Sequence, residues 1–577
     1  MNEIHYEVFV RRGKKGGWEL LEAIVDRAAA LSRAKEVLGQ GGVVGVKVTK
    51  ETFKPEDGTF QSVTVFHEGA PDKTSKDESK PLIPCFKPQD LFTRHARGMI
   101  GRVLASTLDE WQLVPMELIH RGDVLEKLEA RSTVLQHAIQ QVAIIQSANA
   151  PGALHDIFRQ LMDLSLRAMD MVVKDDRRGR FKALEGTSVA AFWRAQAGQG
   201  DGGYLLAAAI ALYLKNANGW AAKLRFLLEL LSDLPDEDEP KRACLATIDS
   251  FVAEMIRSPA SLHDLIGECK DLGEALKVMI AVFLGKDVPD AETRPQSLDR
   301  LSFAFKHSLL DEARSALIDR IMGEIRSFAR LHPDSFEEEL HSMRLLAQQL
   351  VSGIGPHLSH DTITEVFAVR SKRLVTPDSI EAYLSTAQSV DDRIRRLIDL
   401  EENVVGAHSK KAVAGFLSPI LATPKAEMQI GGERAPVTAR LRTVAELQRT
   451  IGSSHFDELD KAEILKALDL LASRIAERYQ FFRSIEQRPV PTAEKTLALL
   501  RLMARQMIPD GDCLTKAKAL AQAMTRKSDF TVSLLPPDMP PQTRDERMAE
   551  FRSLWDLAGL GKERADIAPP PATESAA

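Results

Sequence analysis

The residue pattern with the clearest chemical potential is a histidine followed directly by an aspartate, which occurs as His155-Asp156, His263-Asp264 and His360-Asp361. Helical metal-dependent phosphohydrolases use such a pair to hold a divalent cation beside a phosphate. They also need a further histidine upstream and a distant aspartate, and His137 ahead of the first pair meets this requirement only in part. A metal phosphohydrolase is therefore the weaker alternative, and we assign no catalytic residue, metal ligand or cofactor.

Other catalytic signatures are missing from the sequence. It contains no HExxH zinc motif, no GxSxG nucleophile motif, no Walker loop and no CxxC pair. We therefore predict that the chain is not an enzyme.

A cluster of basic residues, Arg11, Arg12, Lys14 and Lys15, lies at the tip of a predicted hairpin. Four cations at a turn could bind a polyanion, so the alternative function is a nucleotide- or nucleic-acid-binding regulator; a solvated turn is the other interpretation. The whole chain carries 82 acidic and 76 basic residues, for a net charge of −6. Because this balance is the opposite of what a nucleic-acid coat requires, nucleic acid is not the expected partner.

Near the C-terminus a predicted amphipathic helix, residues 543–558, follows a proline-rich segment. Its apolar face consists of Met548, Phe551, Leu554, Trp555 and Ala558. Such a face on a tethered helix is a candidate docking surface for a partner protein. The alternative is that the helix folds back on its own bundle.

The elements that would position these residues fall into a small head and a long helical body. In residues 1–69, apolar and polar residues alternate between turn-forming residues, which predicts a β-β-α-β-β module. Asp26 is the expected N-cap of its helix. A proline-containing linker is predicted at 70–89, a helical body at 90–422 and a C-terminal helical bundle at 437–530. The tethered helix at 543–558 and a disordered tail at 559–577 complete the chain. The fold class is thus mainly α, built of irregular helical bundles or an α-solenoid-like array, although no fixed repeat period is present.

The composition is that of an ordinary globular protein and favours a cytoplasmic location. The hydrophobic content is 44% and the charged content 27%, and four cysteines are widely separated, which suits a reducing cytoplasm. No apolar run is long enough to cross a bilayer. We therefore expect a cytoplasmic, non-enzymatic protein–protein interaction protein, an adaptor or regulator in bacterial signalling. Its protein partners and oligomeric state stay open.

Overall fold

A computed structural model describes residues 4–11, 19–39, 43–54, 59–69, 83–147, 153–184, 188–196, 200–289 and 294–561 of the chain. Over these residues the backbone forms 28 α-helices, two 3₁₀ helices and a single four-stranded sheet. The fold is mainly α with a small N-terminal α+β module, which confirms the predicted fold class.

The N-terminal module has the predicted order of elements. They are β1 (Ile4–Arg11), β2 (Glu19–Ile24), α1 (Arg27–Gly39), β3 (Gly45–Lys54) and β4 (Thr59–Gly69). The strands form an antiparallel sheet in the order β2-β1-β3-β4. The predicted N-cap is confirmed, because the Asp26 carboxylate accepts a hydrogen bond from the Ala29 N–H at 2.7 Å.

One face of this sheet is covered by α1. Alternation along β1 and β3 places Val8, Val10, Val46 and Val48 on the same face, where they are buried with Ala30 and Ala34 of the helix. Small alanine side chains allow the helix to approach the valine surface closely. The period-2 pattern of valines is therefore the cause of the module's core.

The chain as a whole divides into two compact units. The first contains residues 1–270, 281–321 and 327–330, and the second contains 271–280, 322–326 and 331–577. Helices α13 (Leu272–Phe283) and α15 (Asp311–Ile325) contribute residues to both.

The helical part of the first unit begins with a 3₁₀ helix at Pro88–Phe92, and a second 3₁₀ helix lies at Leu230–Ser232. Its α-helices are α2 (Arg94–Val103), α3 (Ala105–Trp111), α4 (Pro115–Ile119), α5 (Gly122–Ala130), α6 (Ser132–Ser147), α7 (Leu154–Arg177), α8 (Val189–Ala195), α9 (Gly202–Leu214), α10 (Trp220–Glu229), α11 (Asp238–Arg257), α12 (Leu262–Ile266) and α14 (Ser297–Lys306). Helix α9 is central, because every residue from 205 to 211 is buried. A helix that is apolar on all sides must be surrounded by protein.

The second unit continues with thirteen helices among the described residues. They are α16 (Phe336–Val351), α17 (His360–Leu374), α18 (Pro377–Ser385), α19 (Val390–Asn403), α20 (Ala407–Ala422), α21 (Pro424–Gln429), α22 (Val437–Ser453), α23 (Glu458–Arg478), α24 (Phe481–Glu486), α25 (Thr492–Ala504), α26 (Asp512–Thr525), α27 (Phe530–Leu534) and α28 (Pro541–Leu557). One cluster of buried apolar residues in this unit contains residues from Leu340 to Leu560.

The expected break between a helical body and a C-terminal bundle is wrong. Ala426 and Ile430, in the segment predicted to separate them, are fully buried in the core of the second unit. The guanidinium of Arg440 also donates hydrogen bonds to the carbonyl oxygens of Ile430 and Glu433. Proline and glycine marked a turn here, but the turn is packed and hydrogen-bonded rather than a linker.

The predicted linker at 70–89 is partly corrected. Residues 70–82 lie outside the described part of the chain. In the remainder, the Ile83 N–H donates to His95 Nε2 at 3.0 Å, and the Asp90 carboxylate accepts from the N–H groups of Phe86 and Lys87 at 2.8 and 2.9 Å. This stretch is therefore attached to the helices that follow it.

Three pairs of consecutive helices are separated by single residues or short breaks. Arg131 lies between α5 and α6, Ser308 between α14 and α15, and Gln480 between α23 and α24. Both Ser308 and Gln480 adopt a positive φ of about 50°. That backbone conformation cannot continue a right-handed helix. Over the described residues no helix is both long and apolar enough to cross a membrane.

Candidate ligand-binding cleft

The first unit contains a cleft of about 690 Å³ between its helices. Its walls come from the 3₁₀ helix Pro88–Phe92 and from α2, α4, α7, α9 and α11. Ligand sites in proteins have volumes of roughly 300–1,000 Å³. We call this feature the Arg97–His120 cleft, after two of the buried polar residues that line it.

Arg97 is held rigidly on α2. Its Nε donates to Glu254 of α11 at 2.6 Å, and its Nη1 donates to the Phe92 carbonyl at 2.5 Å. Burial raises the pKa of the Glu254 carboxyl, and this effect is opposed by Arg97 and by the Met116 N–H, which donates to Glu254 at 2.7 Å. The third guanidinium nitrogen of Arg97, Nη2, has no partner among the described residues, although only 6% of Arg97 is exposed.

His120 lies at the end of the short helix α4 and is 3% exposed. Its Nδ1 is 2.8 Å from the Met116 carbonyl oxygen. Because a carbonyl oxygen can only accept, Nδ1 carries the proton and Nε2 is left as an acceptor. Burial lowers the pKa of His120 to about 4, so the ring is neutral near pH 7. Nε2 has no partner among the described residues.

A second hydrogen-bonded group that lines the cleft joins α7 to α9. The Arg180 guanidinium donates to Asp175 at 2.9 Å and to Asp201 at 2.7 Å, and the Tyr204 hydroxyl donates to Asp175 at 3.2 Å. Burial raises the pKa of Tyr204, and the Asp175 carboxylate raises it further. The phenol is consequently protonated throughout the physiological range.

A glycine at the end of α7 brings Arg180 into this group. Gly179 has a φ of +67°, and the Arg180 N–H donates back to the Asp175 carbonyl at 3.1 Å. The Gly179 N–H donates to the Asp176 carbonyl at 2.8 Å, which completes a Schellman turn. The sequence Asp175-Asp176-Arg177-Arg178-Gly179-Arg180 therefore ends the helix and turns its last arginine towards the helix's own carboxylate.

Aromatic rings connect the two groups. Phe92, His120 and Tyr204 are in mutual contact, with centroid separations of 5.1–5.6 Å, and Phe181 meets Tyr204 edge-on at 5.5 Å. Contacts of this kind fix ring orientation. The cleft thus combines fixed aromatic rings with one cationic donor and one neutral acceptor.

A second, smaller cavity of about 140 Å³ lies in the same unit. It is lined mainly by aliphatic side chains of α2, α5, α6 and α7, with Cys85 and His95 among the few exceptions. Its volume is close to that of an engineered apolar cavity that binds benzene. It offers little hydrogen bonding and hence little specificity.

The second unit contains a serine–histidine–aspartate chain that sequence analysis missed. His332 Nε2 is 2.6 Å from the Ser342 hydroxyl, and His332 Nδ1 is 2.7 Å from the Asp271 carboxylate. This is the hydrogen-bond order of a hydrolase triad. However, Ser342 is only 3% exposed, inside α16. A nucleophile must be reached by its substrate, so the chain is a buried structural network that links α16 to the loop before it.

The residues singled out from the sequence are not brought into the cleft. Arg12, Lys14 and Lys15 lie outside the described residues; for Arg11 only the backbone, at the end of β1, is described. His155, Asp156 and His137 are exposed, and no group of three or more histidine, cysteine, aspartate or glutamate residues in the described part could hold a metal ion.

The predicted docking face of the C-terminal helix is corrected. In α28, Phe551, Trp555 and Ala558 are buried in the core of the second unit, and Met548 and Leu554 pack against that core. The Trp555 indole N–H also donates to the Leu560 carbonyl at 3.0 Å. The apolar stripe is therefore occupied by its own unit, and the helix is neither free nor tethered.

The sequence carries no motif that identifies the cleft as a whole. Arg97 and His120 are separated from Tyr204 and Glu254 by up to 157 positions along the chain, and no motif links them. Only the C-terminal turn of α7 could be anticipated, from a glycine after a basic and acidic helix end.

No protein-family model matches this chain, and no curated protein matches it. Among solved structures, a circular tandem repeat protein with a novel repeat topology and enhanced subunit contact surfaces matches at 14% identity. That match covers 80% of this chain and 95% of the other, with a TM-score of 0.19. A structural overlap of that size does not establish a shared fold, so the Arg97–His120 cleft itself carries the functional argument.

Proposed function

We propose that this chain is a non-enzymatic regulatory binding protein. Its helical body binds a small polar molecule in the Arg97–His120 cleft and, in response, acts as an adaptor for a partner protein. The observation that carries this proposal is the pair of polar atoms Arg97 Nη2 and His120 Nε2, which have no hydrogen-bond partner among the described residues. They belong to two nearly buried residues that line one cleft, so they are available to a ligand there.

The chemistry of the cleft favours binding over catalysis. A general base works best when its pKa is close to the working pH, and the pKa of His120 is lowered to about 4. The raised pKa of Tyr204 makes its phenolate inaccessible as a nucleophile. The two arginines are already paired with carboxylates, which fixes their geometry and suits a pre-formed recognition site.

The binding proposal is tested with the full chain and two matched variants. Ala246 is an exposed residue of α11 at the edge of the cleft, so Ala246→Trp places a large ring across the opening. Ala462→Trp introduces the same ring at an exposed position of α23. Each protein is equilibrated with a small-molecule extract of its source cells and separated by rapid gel filtration. Bound compounds are then released and identified by mass spectrometry.

We expect at least one compound to be retained by the wild-type chain and by Ala462→Trp. Ala246→Trp should retain it at least about tenfold less well, corresponding to a loss of about 1.4 kcal/mol. The compound should be recovered chemically unchanged after prolonged incubation. Retention of nothing, equal retention by Ala246→Trp, or conversion of the compound would each overturn the proposal.

A further inference from the structure

The charges around the Arg97–His120 cleft are unevenly distributed. Arg97 is matched by a single carboxylate, Glu254, at 2.6 Å. Arg180 lies between two carboxylates, Asp175 and Asp201, at 2.9 and 2.7 Å. The Arg180 group therefore carries one carboxylate more than it has guanidinium groups. This group attracts a cationic part of a ligand and repels an anionic one.

The two unpartnered atoms, Arg97 Nη2 and His120 Nε2, require opposite functions in the ligand. Arg97 Nη2 is a charged N–H donor, and such donors form their strongest hydrogen bonds with carboxylate oxygens. His120 Nε2 presents only a lone pair, so it repels an oxyanion and needs an N–H or O–H donor. A simple carboxylic acid or phosphate supplies no donor for His120, and a simple amine supplies no acceptor for Arg97.

We infer that the ligand of the Arg97–His120 cleft is a zwitterion of the amino-acid class. Its carboxylate is held by Arg97, and its ammonium group faces His120 and the carboxylate of Asp201. This inference rests on the proposed function, because it names the ligand of the same site. Phe92, Met116 and Met171 supply apolar wall, and the volume of about 690 Å³ exceeds the needs of the smallest amino acids. The cleft therefore suits an amino acid or derivative with a bulky side chain.

The test compares matched sets of three compounds by isothermal titration calorimetry with the full chain. Each set contains an L-amino acid, the amine that lacks its carboxylate and the acid that lacks its ammonium group. One such set is phenylalanine, phenethylamine and 3-phenylpropionate; another is leucine with its amine and acid. We expect at least one amino acid to bind, and both members that lack a charge to bind at least about tenfold more weakly.

Two variants test whether the ligand binds in the cleft. Asp201→Asn keeps the size of a side chain that is 49% exposed and removes the charge that we assign to the ammonium group. Asp163→Asn makes the same change at an exposed helical pair with Arg167, outside the cleft. Asp201→Asn should weaken binding of the amino acid but not of the acid that lacks the ammonium group, whereas Asp163→Asn should change neither. Circular dichroism and gel filtration establish that both variants fold as the wild-type chain does.

The outcomes separate this inference from the proposed function. If no amino acid binds, but a neutral or singly charged compound from the cell extract binds and is lost in Ala246→Trp, the ligand class is wrong and the binding function stands. If the amine or the acid alone binds as tightly as the amino acid, the assignment of a zwitterionic ligand is likewise wrong. If neither the panel nor the extract yields a compound sensitive to Ala246→Trp, both proposals fail.

Discussion

At the scale of single residues, several deeply buried charged groups are paired with an opposite charge and make further hydrogen bonds. Lys223 Nζ donates to both oxygens of Glu117 and to the Gln112 carbonyl, and the Arg370 guanidinium donates to Glu339 and to the Ile325 carbonyl. Removing one member of such a pair typically costs 3–5 kcal/mol, because the other charge stays buried alone. Arg97 and Glu254 form a pair of the same kind, but one nitrogen of Arg97 has no partner among the described residues. The proposed binding site depends on that nitrogen.

Burial of His120 predicts a loss of stability in acid. Its pKa is about 4 in the folded chain and 6.5 in a solvated reference, mainly because burial penalises the charged ring, with a smaller opposing contribution from Met116 and a repulsion from Arg97. Between these two pH values the unfolded chain binds more protons than the folded chain. Stability is therefore complete above pH 6.5 and declines as pH falls towards 4, by about 2 kcal/mol at pH 5.

The variant His120→Asn keeps a donor for the Met116 carbonyl and removes the titrating ring. Hydrogen exchange of peptides covering residues 115–130, at pH 7 and pH 5, should show a smaller acid-dependent loss of protection in this variant than in the wild-type chain. His137→Asn, at an exposed helical position, serves as the control. An acid response in His120→Asn as large as that of the wild-type chain would contradict the prediction.

At the scale of elements, helix starts fall into two kinds. Many are capped locally: the hydroxyls of Ser335, Ser359 and Ser389 accept from the N–H three residues ahead, at 3.1 Å in each case. Such caps follow from the sequence alone. Helix α15 is different, because its N–H groups at Glu312 and Ala313 are accepted by Asp249 of α11, at 2.8 and 2.7 Å. A carboxylate 62 residues before the helix thus fixes where α15 begins.

Replacing Asp249 by alanine should loosen the start of α15. Two N–H groups at a buried helix end lose their acceptor, which we expect to cost about 2 kcal/mol. Hydrogen exchange of peptides from residues 311–321 measures this loss, and Asp163→Ala, which removes an exposed carboxylate, is the control. Unchanged protection of residues 312 and 313 in Asp249→Ala would show that the remote cap is not needed.

The pH response at Asp249 has the opposite sign to that at His120. Burial raises the pKa of Asp249 to about 6, against an ordinary 3.8, and the nearby carboxylates of Glu312 and Asp311 add to the rise, while its two N–H donors oppose it. The folded state therefore holds this proton more tightly than the unfolded state. The stability that it contributes is present below pH 3.8 and is lost as pH rises through 6.

At the scale of the whole molecule, the chain is divided into two compact units whose boundary falls between residues 271 and 331 rather than near residue 430. The apolar core of the second unit includes residues from α16 to the end of α28. A helix at the extreme end of the described chain is therefore a structural part of its unit. Phe551 contacts both Phe530 and Trp555, with ring centroids 5.6 and 5.5 Å apart.

Trp555→Ala tests whether α28 belongs to this core. Trp555 is 6% exposed, so truncation should destabilise the second unit by about 3–5 kcal/mol. Leu557, two residues away on the same helix, is 66% exposed, and Leu557→Ala should change stability by less than about 0.5 kcal/mol. Hydrogen exchange of peptides from α25, which packs against α28, is the measurement. Equal protection of the α25 peptides in the two variants would show that α28 is not part of this core.

Local patterns in the sequence were sufficient for much of the fold. The alternation of valines in β1 and β3, the Asp26 cap of α1 and the uniformly apolar run of α9 each specify an element and the face that it buries. These features depend on neighbours within a few positions, since side-chain period and helix capping are short-range properties. The mainly helical class and the N-terminal β-β-α-β-β order could therefore be predicted.

Tertiary structure alone decided where the chain divides and where a ligand could bind. Proline and glycine near residue 430 mark a turn equally well whether it is packed or free, and only the burial of Ala426 and Ile430 distinguishes the two. Likewise, an apolar stripe such as that of Phe551 and Trp555 is expected both in a docking helix and in a core helix. Arg97 and His120 became a candidate site because distant helices bury them together and leave one atom of each without a partner. Burial and unmet hydrogen bonding are properties of the packed molecule, and no spacing of residues along the chain encodes them.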